Sequence, residues 1–335
     1  MFNNLGLGGF GMSETILVTG AGGQVGGFAV GELVNMGFRV VALDVRFSDE
    51  LIRLRGPSLE LINIDLIDFD ELISVIKRFN VRRIIHLAAM ILLESRNRPL
   101  KAAKVNIIGA LNIFEAARLM DLERVVYASS ESVYGSPSVY GKGIVNEDDY
   151  PHTPPDPYHV TKLADELFGS YYSEAYGLSI IGGRLTTAWG PGRYGGYTGQ
   201  FNSFLRDVIV KGYGKVPPDF AYSGAKFRWL YVKDAARAFI HLALVDKARV
   251  RRPVYNVGSM KPFTVIDVIN TIRELMPNTR IDYEPLSKPT ETSSRVPGPA
   301  GLDVDCSRLY NELGFNEKYG LKGGLKDMIE YEKAR

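Results

Sequence analysis

Tyr158 and Lys162 stand four residues apart in the stretch Pro157-Tyr-His-Val-Thr-Lys162. Residues at i and i+4 share one face of a helix, so the phenol and the ammonium point the same way. A free tyrosine, with a pKa of about 10, is a poor base at neutral pH. A neighbouring ammonium or a cationic nicotinamide favours the phenolate. Such a tyrosine can take the proton of an alcohol as hydride leaves the alcohol carbon. Alone the spacing is weak, because chance supplies it in many helices. Here it follows a glycine-rich turn, Gly20-Ala-Gly-Gly-Gln-Val-Gly26, and a serine cluster, Ala128-Ser-Ser-Glu-Ser132. Nucleotide turn, hydroxyl and tyrosine/lysine pair, in that order, read as a dinucleotide enzyme that moves a hydride. Ser130 would hold the substrate oxygen, and Lys162 is also placed to bind the nicotinamide ribose.

The elements that must position these groups are legible around them. Thr15–Thr19 is a short apolar run rich in β-branched residues, as expected of a parallel strand buried on both faces. Further strands are expected at 39–43, 59–64, 83–87, 124–128, 178–184 and 254–257. Helices are expected at 28–36, 70–79, 101–120, 158–176 and 264–275. Strands alternating with helices predict an α/β fold, a doubly wound parallel (Rossmann) sheet with a smaller C-terminal α/β substrate lobe. Residues 1–12 read as a loose extension, 13–185 as the nucleotide domain with a return segment at about 229–260. Residues 186–228 and 261–335 read as the substrate lobe. The Gly-, Pro- and Tyr-rich stretch from Thr186 to about Lys226 is expected to form loops and short helices.

The glycine turn follows a strand, opens a helix and precedes an acid at the end of the next strand. That is the context of a pyrophosphate-binding turn. The acid is Asp44, whose carboxylate suits a ribose diol and repels a 2′-phosphate, favouring NAD over NADP. Arg46 nearby reads as a solvated surface charge in preference to a phosphate ligand. Asp65 and Leu66 end the third strand, where adenine contacts would fall; a helix cap is the alternative for Asp65.

Bulk properties exclude several classes. A chain of 335 residues with 45% hydrophobic composition can bury a full core. The net charge of +2 is scattered, which argues against a nucleic-acid partner. The single cysteine, Cys306, and four histidines with no ligand spacing leave no metal site to expect. No apolar run is long enough to span a bilayer and the start lacks a signal peptide, so a cytoplasmic protein is expected.

With these motifs in place, the chain resembles the extended short-chain dehydrogenases/reductases, the group with nucleotide-sugar epimerases and dehydratases. The resemblance runs through Thr19 to Gly26, Asp65-Leu66, His86-Leu-Ala-Ala89, Asn106 to Gly109, Ser129 to Gly135, Tyr158 to Lys162, Tyr231 to Asp234, Tyr255 to Gly258 and the ending Leu313 to Gly324. It implies that Gly20, Gly23, Gln24 and Val25 bind the pyrophosphate and that Leu87, Ala88 and Ala89 line the cofactor. It implies that Asn106 supports the active site, that Ser130, Tyr158 and Lys162 are catalytic, and that a homodimer forms through 101–120 and 158–176.

The pattern breaks in four places. Ser132 stands where dehydratases carry a glutamate, with Glu131 one position earlier as a partial substitute or a supporting residue. Thr187 replaces an asparagine that holds a nucleoside diphosphate. The late Arg-x-Gly-Asp becomes Arg295-Val-Pro-Gly, and the usual Gly-Asp-Gly before Arg228 is missing. Arg228 and Arg295 could still clamp a phosphate or carboxylate. Thr186, Thr187, Trp189, Arg193 and Arg228 are the expected substrate wall. The first reading is an NAD-dependent dehydrogenase acting at a secondary alcohol of a small polar substrate, such as a sugar or sugar acid. The second is a nucleotide-sugar 4-epimerase with retained NAD, and the third a non-catalytic NAD sensor.

Overall fold

The computed structural model describes residues 14–152, 156–295 and 300–335; the expected extension at 1–12 lies outside them. Seven strands form one parallel sheet: β1 (Thr15–Thr19), β2 (Arg39–Asp44), β3 (Leu59–Asn63), β4 (Val81–His86), β5 (Arg124–Ser130), β6 (Ile180–Leu185) and β7 (Val254–Val257). Their order is β7-β6-β5-β4-β1-β2-β3, so the winding reverses between β1 and β4. In open sheets of this kind ligands bind beyond the strand ends at that reversal. Thr19 pairs with Leu43 on one side and His86 on the other. The glycine turn, Asp44 and the segment after His86 therefore leave the sheet at the same edge.

Helices cover the sheet because their apolar residues recur at helical spacing. In α1 (Gln24–Asn35) Ala29, Val30 and Leu33 are buried, and Gly37, at φ 87°, ends the turn that follows. The next long helix, α2 (Phe69–Phe79), is capped by Asp68, whose side chain accepts from the Glu71 amide. The single helix expected over 101–120 is instead three pieces. Pro99–Ala102 is α-helical, Ala103–Ile108 is a π-helical turn, and α3 (Gly109–Leu119) follows. A periodicity of 3.6 residues cannot reveal an inserted π turn, which shifts the register by one residue. The helix α4 (Pro157–Tyr176) carries Tyr158 and Lys162 one turn apart and gives way to Gly177 at φ 68°.

The chain divides into two compact units. The first comprises the residues up to Ser129, then Thr161–Gly183 and Ala236–Tyr255; the second comprises Ser130–Val160, Arg184–Ala235 and Asn256–Arg335. These bounds differ from the expected ones, since 130–160 goes with the second unit. After Ser130 the backbone turns into a 3-10 helix, Glu131–Tyr134, and makes its contacts there.

Within the second unit the stretch expected as loops and short helices holds a 16-residue helix, α5 (Gly196–Lys211). Its buried Tyr197, Phe201, Phe204, Leu205 and Val208 keep helical spacing, and the glycines near its start disguised it. Phe201, Phe220, Phe227 and Trp229 pack ring against ring in the same unit. Among the described residues no helix is long and apolar enough to cross a membrane.

The helix α6 (Val232–Leu244) carries Asp234, fully buried, in its first turn. Its carboxylate accepts from the amides of Lys318, Tyr319 and Gly320 at 2.8, 3.0 and 3.1 Å, at the start of the last helix, Gly320–Lys333. Removing it strands three amides, so Asp234→Ala should lower the unfolding free energy by about 3 kcal/mol or more, read by chemical denaturation.

Candidate active site

The glycine turn is built backbone against backbone. Gly20 has φ 68°, and a Cβ there would lie 2.5 Å from the Ala88 amide nitrogen. A Cβ on Gly22 would lie 1.8 Å from the Arg46 carbonyl oxygen. The Gly23 amide donates to Gly20 O at 3.0 Å, and Gly23, as the N-cap of α1, brings no side chain to the helix start. Such a helix start attracts an anion. Asp44 is fixed from the same turn: Oδ2 accepts from the Gly22 amide at 2.9 Å and Oδ1 from the Arg46 amide at 3.1 Å. Each oxygen retains a lone pair for a ribose hydroxyl. Arg46 is exposed, and its backbone is what serves Asp44. These residues fit NAD.

Beyond β4 the chain is tied back onto β1. Leu87 donates to Thr19 O at 3.1 Å and Ala88 to Thr19 Oγ1 at 3.4 Å, which sets Leu87, Ala88 and Ala89 beside the glycine turn. Asn106, buried in the π turn, then clamps the next residue: its Oδ1 accepts from the Met90 amide at 2.7 Å and its Nδ2 donates to Met90 O at 3.0 Å. The same Nδ2 lies 2.9 Å from Thr161 Oγ1, the neighbour of Lys162. Asp65 is exposed and holds a local turn by accepting from the Ile67 amide at 3.1 Å, while Asp68 does the helix capping. Leu66 is buried, and its carbonyl accepts from Asn112 at 2.7 Å.

Lys162 is buried and donates to Ala128 O at 2.8 Å and to Asp165 Oδ2 at 3.3 Å. Two of its three N–H bonds are thereby committed among the described residues. Burial pushes the Asp165 carboxyl up to about 6, against the pull of Lys162. Ser129, beside Ser130, donates to Glu166 at 2.5 Å. Neither Asp165 nor Glu166 was singled out from sequence; acids three and four places after the lysine on its own helix were the available signal. His86 meets Thr19 Oγ1 through Nδ1 at 2.7 Å and is held neutral, its pKa lowered to about 3 by burial and then by Lys162.

In the second unit, Ser130 Oγ accepts from the Ser132 amide at 3.2 Å and so starts the Glu131–Tyr134 turn. Tyr134 anchors that turn: its hydroxyl donates to Asn256 at 2.9 Å and accepts from Arg184 at 2.7 Å. Tyr158 is half-buried in the first turn of α4, its amide held by Asp156 Oδ1 at 3.0 Å. Glu131 is buried, its Oε1 has no hydrogen-bond partner among the described residues, and burial holds its carboxyl well above the usual range.

Several of the expected substrate-wall residues have partners inside the protein. Thr186 is buried and donates to Arg228 O at 2.8 Å, and Trp189 is buried against Tyr231 and Phe263. Arg228 grips Asp303 with two bonds, at 2.5 and 2.9 Å, and donates to Met260 O at 2.6 Å. The missing Gly-Asp-Gly thus leaves an arginine already neutralised. Arg193 is half-buried and its carbonyl accepts from Asn202 at 2.9 Å. The side chain of Arg295 lies outside what the structure describes.

A parallel sheet with this strand order, a glycine turn at the reversal and an acid at the end of β2 define a dinucleotide-binding protein of the Rossmann class. The chain belongs to the NAD-dependent epimerase/dehydratase family, whose model matches residues 16–258. NAD is the cofactor of that family. An uncharacterized protein of Methanocaldococcus jannaschii is 29% identical over 266 residues, covering 79% of this chain and 76% of its own. The L-threonine dehydrogenase of Clostridium difficile has the same fold (TM-score 0.82, 24% identity, 96% and 98% of the two chains). So does the UDP-glucose 4-epimerase of Thermotoga maritima, solved with UDP-glucose (TM-score 0.79, 23% identity, 96% and 99%).

Two buried groups set opposite trends of stability with pH. Folding depresses the His86 pKa, so its contribution is present above about 6.5 and lost as pH falls, by about 3 kcal/mol at pH 4.5. Folding raises that of Asp165, so its contribution is full below about 4 and lost as pH rises through about 6, a change of about 3 kcal/mol in all and about 2 kcal/mol between pH 4.5 and 7. On going from pH 7 to 4.5, His86→Asn should therefore lose less stability than the wild type and Asp165→Asn more, read by urea denaturation at both values.

Proposed function

We propose that this chain is an NAD-dependent dehydrogenase that oxidises a secondary alcohol on a small polar substrate, a sugar, sugar acid or similar compound. The observation that carries the reading is Arg228: its guanidinium is neutralised by Asp303, so it brings no free charge to a diphosphate. Thr187, in the place of the diphosphate-binding asparagine, points the same way.

In this reading NAD, when bound, supplies the acceptor for the hydride. Tyr158 takes the alcohol proton, Ser130 orients the alcohol oxygen, and Lys162 keeps the local potential positive. Asn106 and Asp165 fix the backbone and the ammonium around Lys162. Thr186 and Trp189 shape the second unit from within. A second reading, a nucleotide-sugar 4-epimerase with retained NAD, draws on the fold shared along the whole chain with the Thermotoga enzyme.

The two readings separate in one assay with purified protein and NAD. Steady NADH formation on free sugars, sugar acids or polyols, without interconversion of UDP-glucose and UDP-galactose, supports the dehydrogenase. UDP-sugar conversion without net NADH sinks it. With the active substrate in hand, Tyr158→Phe should lower kcat/KM by about 10²- to 10⁴-fold and leave NAD binding nearly unchanged.

The chain is also proposed to pair as a homodimer. Leu119 on α3 and Leu167 and Tyr171 on α4 are all more than half exposed, and large apolar side chains grouped in this way mark an interface. Leu167→Glu combined with Tyr171→Lys should halve the mass measured by light scattering; a wild type that is already monomeric would end this proposal.

A further inference from the structure

Lys162 and Asp165 form an ion pair inside the first unit, with side chains only 3% and 2% exposed. Both stand on α4, three residues apart. Their contact is long for a charge-assisted hydrogen bond: Lys162 Nζ lies 3.3 Å from Asp165 Oδ2, against 2.8 Å from Ala128 O. The carbonyl therefore anchors the lysine, and the carboxylate acts on it chiefly as a charge. Asp165 Oδ1 is buried with no hydrogen-bond partner among the described residues. A charge is costlier to desolvate than an amide, which would accept the same bond from Lys162. What an amide cannot supply is the negative charge.

The same unit holds the glycine turn, Asp44 and the segment from Leu87 to Ala89. NAD+ and NADH share a pyrophosphate, two riboses and an adenine, and differ by the formal positive charge on the nicotinamide ring. A fixed charge at the nicotinamide end therefore tells the two apart while every other contact stays common to both. Lys162 alone would disfavour the oxidised ring, and an ionised Asp165 offsets it.

The other titratable groups around the pair have their own partners or are neutral. Glu166, next to Asp165 on α4, accepts from Ser129 of β5. His86, on β4, is held neutral by burial and then by Lys162. On α3, Glu115 and Arg118 pair with each other, and Glu115 meets α4 at Tyr172, two turns beyond Asp165.

We propose that Asp165 is a specificity-determining residue for the redox state of the cofactor, its carboxylate offsetting the Lys162 charge and tilting the site toward NAD+ over NADH. This rests on the reading that puts Lys162 at the nicotinamide ribose, and it holds for a dehydrogenase and an epimerase alike. In a dehydrogenase it favours uptake of the oxidised cofactor and release of the reduced one.

The test needs no substrate. Binding of NAD+ and of NADH to the full chain is measured by calorimetry at about pH 8 and about pH 5.5. Burial pushes the Asp165 carboxyl up to about 6, so it is ionised at the first value and mostly protonated at the second. At about pH 8, Asp165→Asn should weaken NAD+ about tenfold and leave NADH within about threefold. The wild type should lose at least about threefold of its preference for NAD+ on going to the lower pH, whereas in Asp165→Asn the ratio of the two dissociation constants should stay constant. Asp165→Glu, which keeps the charge, should keep most of the preference. An equal loss for both cofactors in Asp165→Asn, or a wild-type ratio that does not move with pH, overturns the proposal. Should Asp165→Asn fail to fold, the wild-type comparison at the two pH values decides alone. Lys162→Met removes a ribose contact that both cofactors share and should weaken NADH about tenfold. If it weakens neither cofactor, the placement of Lys162 at the ribose falls and this proposal with it. If it weakens NADH while Asp165→Asn leaves the ratio untouched, the placement stands and only the role of Asp165 is lost.

Discussion

The carboxamide of Asn106 holds together parts of the chain that no sheet ladder joins. Both its oxygen and its nitrogen are spent on the backbone of Met90, and the nitrogen also meets Thr161. Asn106 makes these bonds from within the π turn at 103–108. Through Met90 it determines how the segment after β4 runs past the glycine turn. Through Thr161 it determines where α4 holds Lys162. An aspartate of the same shape has no N–H to offer Met90 O, and a leucine could bond neither the Met90 backbone nor Thr161.

Charge in the interior is managed by pairing or by neutralisation. The Lys162 side chain is paired with Asp165 and Ala128 O. His86, near that ammonium and fully enclosed, stays neutral. Glu131, enclosed as well, is favoured as the uncharged acid. One carboxyl is a counter-ion and the other an uncharged acid, and burial beside different neighbours makes the difference.

The sheet could be read from sequence because strands buried on both faces are continuous apolar runs, and all seven were expected within three residues of their ends. The Tyr/Lys helix and the glycine turn were equally plain, since their chemistry depends on local spacing. The π turn was hidden because a register shift of one residue is too small a break in the apolar pattern to stand out. Residues 196–211 kept helical spacing but were masked by glycines at 196 and 199. Contacts between distant segments left no local trace. That Arg228 is spent on Asp303, 75 residues away, could only emerge from the fold. The expectation that Thr186, Trp189 and Arg228 present themselves to a substrate came from position alone, and their internal partners argue for a supporting role.

The chain passes between its two units five times, after Ser129, Val160, Gly183, Ala235 and Tyr255. Each passage falls inside a strand or helix, within β5, α4, β6, α6 and β7, and none falls in a loop. Neither unit is a continuous cassette that recombination could lift out and replace. Descent with a new specificity must then proceed by substitution in place, leaving the nucleotide machinery intact around it. Changes at positions far apart in sequence, brought together by the fold as Arg228 and Asp303 are, are the form such a history takes.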